Sequence, residues 1–121
     1  SARGGHMQGY QIVFFTQQER THGALSIAEW LLATARELGI KGATVSAAQG
    51  GYGRDGAYRA AHFFETGEQP VEVAVAVSPE HCRLLFERIR AEKLQIFYVK
   101  IPAEFGLTGA EDEANGDRRN G

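Results

Sequence analysis

A single cysteine, Cys82, leaves this chain no partner for an intramolecular disulfide. Nor is there a run of the ~18 apolar residues that a membrane-spanning helix needs. Neither sign of charge prevails: 13 Lys and Arg stand against 15 Asp and Glu, for a net charge of −2. Without a basic excess, no global field draws the chain to nucleic acid or to an anionic membrane. Serine is sparse, and Ser26, Ser46 and Ser78 each have a structural explanation. No nucleophile–base pair or paired-carboxylate constellation stands out, so a catalytic role is not expected. These absences leave a cytoplasmic protein as the default.

What is present suits one folded unit. At 121 residues and 43% hydrophobic composition, the chain can bury a core without covalent staples. Residues 1–6, Ser-Ala-Arg-Gly-Gly-His, read as an expression remnant, with the natural start expected at Met7. Residues 7–106 make the expected domain. Residues 107–121 lose their large apolar side chains after Leu107 and carry Glu111, Asp112, Glu113, Asp117, Arg118 and Arg119. Such a composition buries too little to offset its ordering entropy and predicts a disordered tail, or one that orders only on a partner or ligand.

Tyr10–Phe15 is short, aromatic and β-branched, which predicts a first strand. A polar connection holding Glu19 and His22 follows. Ala24/Leu25, Ala28, Leu31/Leu32, Ala35 and Leu38 then recur at helical spacing, and Gly39 supplies the stop. Trp30 lies off that stripe, flat on the surface or, as we expect, at a subunit interface. Ala43–Ala48 reads as a strand of small residues, and Ala57–Glu65 fits a strand or the arm of a long loop. Val71–Val77 alternates without exception, the clearest strand in the chain. Ser78-Pro79-Glu80 opens a second helix with Ser as N-cap and Pro in the first turn. Its stripe of Cys82, Leu85, Phe86 and Ile89 makes Cys82 a buried small hydrophobe rather than a reactive thiol. Gln95–Ile101 is the last strand, ended by Pro102.

This order predicts an α+β, ferredoxin-like βαββαβ fold: a four-stranded antiparallel sheet with two helices on one face. The other face would present Val, Ala and aromatic side chains to water, which predicts self-association. An RNA-recognition module of the same strand order needs stacking aromatics on its central strands. Val71–Val77 has none, so nucleic acid is not an expected partner. His22, His62 and His81 are imidazoles a metal would favour, but none stands at an i, i+4 spacing with another.

The chain is organised around Gly39–Arg59. Four of the seven residues from Gly50 to Gly56 are glycine, with Arg54 and Arg59 in and just after the run. Glycine lets backbone N–H groups approach an anion without a Cβ in the way, so this is either a phosphate or carboxylate cradle or a flexible hairpin connection.

Gly39-Ile-Lys-Gly-Ala-Thr-Val45, followed by Gly51-Tyr-Gly-Arg54 and Gly56, resembles the helix end, second strand and loop start of the PII signal-transduction superfamily. With His22-Gly23 and the Gln69-Pro70-Val turn, the span from Tyr10 to Gly106 is more closely similar to the uncharacterised PII-like domain family of short bacterial proteins. The resemblance implies a trimer with ligand clefts between neighbours and a mobile T-loop that reports ligand state to a target protein. It implies no required cofactor and an adenine nucleotide (AMP, ADP or ATP) as effector, with a transporter or an enzyme of nitrogen or inorganic-carbon metabolism as the partner. Carried onto this sequence, the ligand-binding residues are Thr44, Gly51, Tyr52, Gly53, Arg54, Gly56 and Arg59. Arg90–Leu94 is shorter than the PII glycine-lysine loop, and Ile101–Gly106 contains no arginine. Fewer cations suit a nucleotide with fewer phosphates or a small anion such as bicarbonate, and Asp55 in place of a glutamine-lysine pair argues against 2-oxoglutarate. The competing expectation is a metal-binding or ligand-free trimeric scaffold of the same fold.

Overall fold

A computed structural model describes residues 6–47 and 70–109. In chain order it has β1 (Met7–Gln17), a two-residue pair β2 (Thr21–His22) and β3 (Leu25–Ser26), α1 (Ile27–Leu38), β4 (Gly42–Ala47), β5 (Pro70–Val77), α2 (Pro79–Ala91) and β6 (Phe97–Phe105). The four long strands lie in the order β4-β5-β1-β6, every neighbour antiparallel. This is the expected ferredoxin-like arrangement.

Alternation along the strands sorts the two faces. Phe14 stands opposite Val73 on one side and Tyr98 on the other, and Ile12 opposite Val75. These residues meet Ile27, Leu31 and Ala35 of α1 and Cys82, Leu85 and Ile89 of α2 in one buried cluster. Both helices therefore cover the same face, and Cys82 is a buried member of the core.

The first helix starts later than its apolar spacing suggests. Ser26 caps it: its Oγ accepts from the Glu29 amide at 3.1 Å, and the Glu29 carboxylate accepts from the Ser26 amide at 2.9 Å. That reciprocal pair withdraws Leu25 from the helix into β3. At the other end Gly39 takes φ 86° and the Ile40 amide reaches back to the Ala35 carbonyl, the αL stop that a Cβ would strain. The second helix begins as expected, with the Ser78 hydroxyl accepting from the His81 amide at 3.0 Å.

Two strands outrun their sequence limits. β1 extends from Met7 to Gln17 because β5 and β6 pair along it on both sides. β6 passes through Pro102 to Phe105. A proline is tolerated there because, among the described strands, β6 pairs with β1 alone, so one side of its backbone has no ladder to lose.

The helix-free face is not uniform. Towards β6 it carries Met7, Phe97 and Ile101, 41%, 47% and 47% exposed, while Phe15 beside them is buried. Towards β4 it carries Gln11, Thr44, Ser46 and Glu72 over Ala74 and Ala76.

Close approach governs Gly9. A Cβ there would sit 2.0 Å from the Val77 carbonyl oxygen, a backbone atom that the β1–β5 pairing holds in place. Gly9→Ala should therefore lower stability by about 1–3 kcal/mol, the usual range for overpacking. The check is a fall in the urea midpoint at unchanged slope; an unchanged midpoint would show that the strand end is free to shift.

Candidate ligand-binding site

Strand β4 ends at Ala47, and the glycine-rich segment follows it in the chain. Its Ala43, Val45 and Ala47 stand opposite Val75, Val73 and Val71 on the helix side, leaving Gly42, Thr44 and Ser46 on the helix-free face. Thr44 lies opposite Ala74 and is exposed; Ser46 lies opposite Glu72. The result is a strip of hydroxyls beside a floor of small side chains, with one carboxylate at its end. Because Ala47 pairs with Val71, the ends of β4 and β5 that flank residues 48–69 in the chain lie side by side. Gly51, Tyr52, Gly53, Arg54, Gly56 and Arg59 belong to that segment and lie outside the described residues, as do the Ala57–Glu65 stretch and His62. Thr44 is the expected ligand residue that the described strands place.

On the helix side of the same end is a cavity of 260 Å³ between the start of α1 and β4, lined in part by Gln17, Gln18, Glu29, Leu32 and Val45. Beside it in the chain, Thr16 is buried with its Oγ1 unpaired among the described residues. The described lining includes Glu29 and neither Lys nor Arg, so its charge disfavours a phosphate.

A second cluster ties the connection after β1 to the turn after α2. The Arg20 guanidinium donates to the Gln95 carbonyl at 2.7 Å, and His22 Nε2 lies 2.9 Å from a Glu92 carboxylate oxygen. The His22 ring meets Trp30 edge to face, with centroids 5.7 Å apart. Trp30 packs on the core beside this pair, so its place off the apolar stripe has an intramolecular cause. His22 is committed to Glu92, and His81 lies in the first turn of α2. Among the described residues no three of His, Cys, Asp and Glu converge as a metal site. Sequence spacing could not reveal contacts across 70 and 75 residues. The Ser26–Glu29 capping box, by contrast, has a local signature, Ser-x-x-Glu.

The sequence profile of the DUF190 family, described as uncharacterized ACR, matches residues 9–97. The chain belongs to the DUF190 family. No curated protein matches it in sequence. Among solved structures it is similar to CPII of Thiomonas intermedia K12 bound to ADP, AMP and acetate, at 15% identity and TM-score 0.57, covering 84% of this chain and 92% of that one. CPII in a form bound to ADP, AMP and bicarbonate, described as a nitrogen regulatory PII-like protein, matches at 15% identity and TM-score 0.53, with 84% and 97% covered. A protein of Thermus thermophilus described as a PII-like signalling protein matches at 14% identity and TM-score 0.55, with 84% and 92% covered. This DUF190 chain thus has the PII-like fold. Among its described residues no helix is long and apolar enough to cross a membrane.

Proposed function

We propose that this DUF190 protein is a non-catalytic, cytoplasmic PII-like regulator. It binds an adenine nucleotide, with bicarbonate as a candidate second ligand, where Thr44 and the glycine-arginine segment after β4 meet. It acts on a transporter or an enzyme of nitrogen or inorganic-carbon metabolism. The observation that supports this reading is the Ala47–Val71 pairing, which sets side by side the strand ends that flank residues 48–69, on the same strand as Thr44. A fold shared with nucleotide-bound CPII supports it. In this reading Gly51, Gly53 and Gly56 open backbone donors to the phosphates and Arg54 and Arg59 supply charge. Thr44 offers a hydroxyl to the remainder of the ligand.

The assembly proposed is a homotrimer closed over the helix-free face, where Met7, Phe97 and Ile101 are exposed. Sedimentation at micromolar concentration should give a species near three times the 13.2 kDa chain mass; a lone monomer rejects the trimer. Calorimetric titration with AMP, ADP, ATP and bicarbonate, singly and in pairs, tests the ligand. Saturable binding of at least one nucleotide is expected, and heat from none of them would favour the ligand-free scaffold.

A further inference from the structure

Two adjoining cavities open between α2 and β6, on the helix side of the sheet and away from the Thr44 strip. One, of 470 Å³, is walled mainly by apolar side chains including Phe14, Ile89 and Leu94. The other, of 310 Å³, reaches Arg83 and Lys100. Phe86, Arg90 and Tyr98 line both.

The charges of this cleft are unequally matched. Arg83 is held by Glu80 at 2.5 Å and by Glu87 at 2.7 Å, and Arg88 of the same helix by Glu37 of α1 at 2.6 Å. The hydrogen bond from Arg83 holds the Glu80 carboxyl below its usual range. Arg90 has no carboxylate partner among the described residues, and neither has Lys100, whose ammonium lies 4.8 Å from the Tyr10 ring centroid and 5.7 Å from that of Phe86. Two cations without counter-ions among the described residues thus line one recess, where each disfavours the other until an anion enters. Beside them Tyr98 is 44% exposed, and its ring meets Phe86 at 4.9 Å, edge to face. An apolar hollow joined to convergent cations is the usual form of a small-molecule site.

We propose that the α2–β6 cleft binds an anion with a flat apolar body, an aryl phosphate or aryl carboxylate, its head on Arg90 and Lys100 and its body against Phe86 and Tyr98. The guanidinium of Arg90 can present two parallel N–H donors to either head group, and the aromatic wall excludes water from one side of that contact. A fully hydrated inorganic anion gains only the first interaction, and a neutral arene only the second. This site does not depend on the glycine-arginine segment.

The test is an amide-resonance titration of the full chain with phenyl phosphate, benzoate, inorganic phosphate and phenol. Saturable shifts at Phe86, Arg90 and Tyr98 are expected with phenyl phosphate or benzoate, and the comparison of the two identifies the head group. Inorganic phosphate and phenol should bind at least about tenfold more weakly than the better of them. Arg90→Gln, at an exposed helix position, should weaken it about tenfold, the scale of one charge-assisted contact, whereas Arg54→Ala should leave it unchanged. The proposal is overturned by the absence of saturable shifts at millimolar ligand, by shifts centred elsewhere, by inorganic phosphate or phenol binding equally well, or by equal affinity in Arg90→Gln.

Discussion

Replacing Phe14 by alanine should remove about 3–5 kcal/mol of stability, the usual cost of deleting a buried aromatic ring. Phe14 is 1% exposed and central to the core. Its ring lies 5.9 Å from that of Phe86 on α2 and 6.3 Å from that of Tyr98 on β6, and its strand pairs with β5 on the other side. One side chain therefore joins three elements, and its loss leaves a cavity that the paired strands cannot collapse into. Against a typical total of about 5–15 kcal/mol, such a loss is a large part of the whole. Urea unfolding followed by circular dichroism measures it. Should the alanine variant fail to fold, Phe14→Leu, which keeps most of the volume, should fold with a smaller loss; a change below about 1 kcal/mol for alanine would contradict this account of the core.

Arg54→Ala should weaken nucleotide or anion binding by about ten- to a hundredfold, because a charge-assisted contact of this kind contributes roughly 1.5–3 kcal/mol. Arg54 directly follows Tyr52-Gly53, and in the proposed site its neighbouring glycines would free backbone donors for the same anion. The described cavity at that end of the sheet includes no lysine or arginine in its lining, so nothing on those walls would take over the lost charge. The oligomer should be unaffected, since the proposed interface lies on the sheet face and not in this segment. Calorimetry on wild type and variant, with sedimentation run alongside, separates the possibilities. A nucleotide that binds both proteins equally places its phosphates elsewhere and removes Arg54 from the site.

Both predictions rest on parts of the molecule that differ in how far a sequence alone reveals them. Val71–Val77 could be read directly, because alternation with period two has one structural meaning when every valine falls on one face. Ser78-Pro79 likewise marks a helix start by local chemistry, and the cap is where those residues imply. Leu25 misled the apolar spacing at the start of α1, since periodicity does not see the hydrogen bonds by which Ser26 and Glu29 begin the helix after it. For ligand binding, the Gly-Tyr-Gly-Arg pattern was legible as chemistry. That the strand ends flanking residues 48–69 lie side by side, on the strand that carries Thr44, required the β4–β5 register.

The amino-acid order by itself determined the alternation of strands and helices, the βαββαβ class, the stop at Gly39 and the start at Ser78, because each depends on neighbours within a few residues. Only the tertiary structure decided that β6 continues through Pro102, since a proline is tolerated where a strand has one partner and this depends on sheet order. It also decided that Trp30 packs beside His22, and that Arg20 reaches Gln95. The lack of a carboxylate for Arg90 among the described residues belongs to the same class. Its neighbours in sequence include Glu87 and Glu92, yet Arg83 takes the first and His22 the second, so the unmatched cation follows from competition for partners in space.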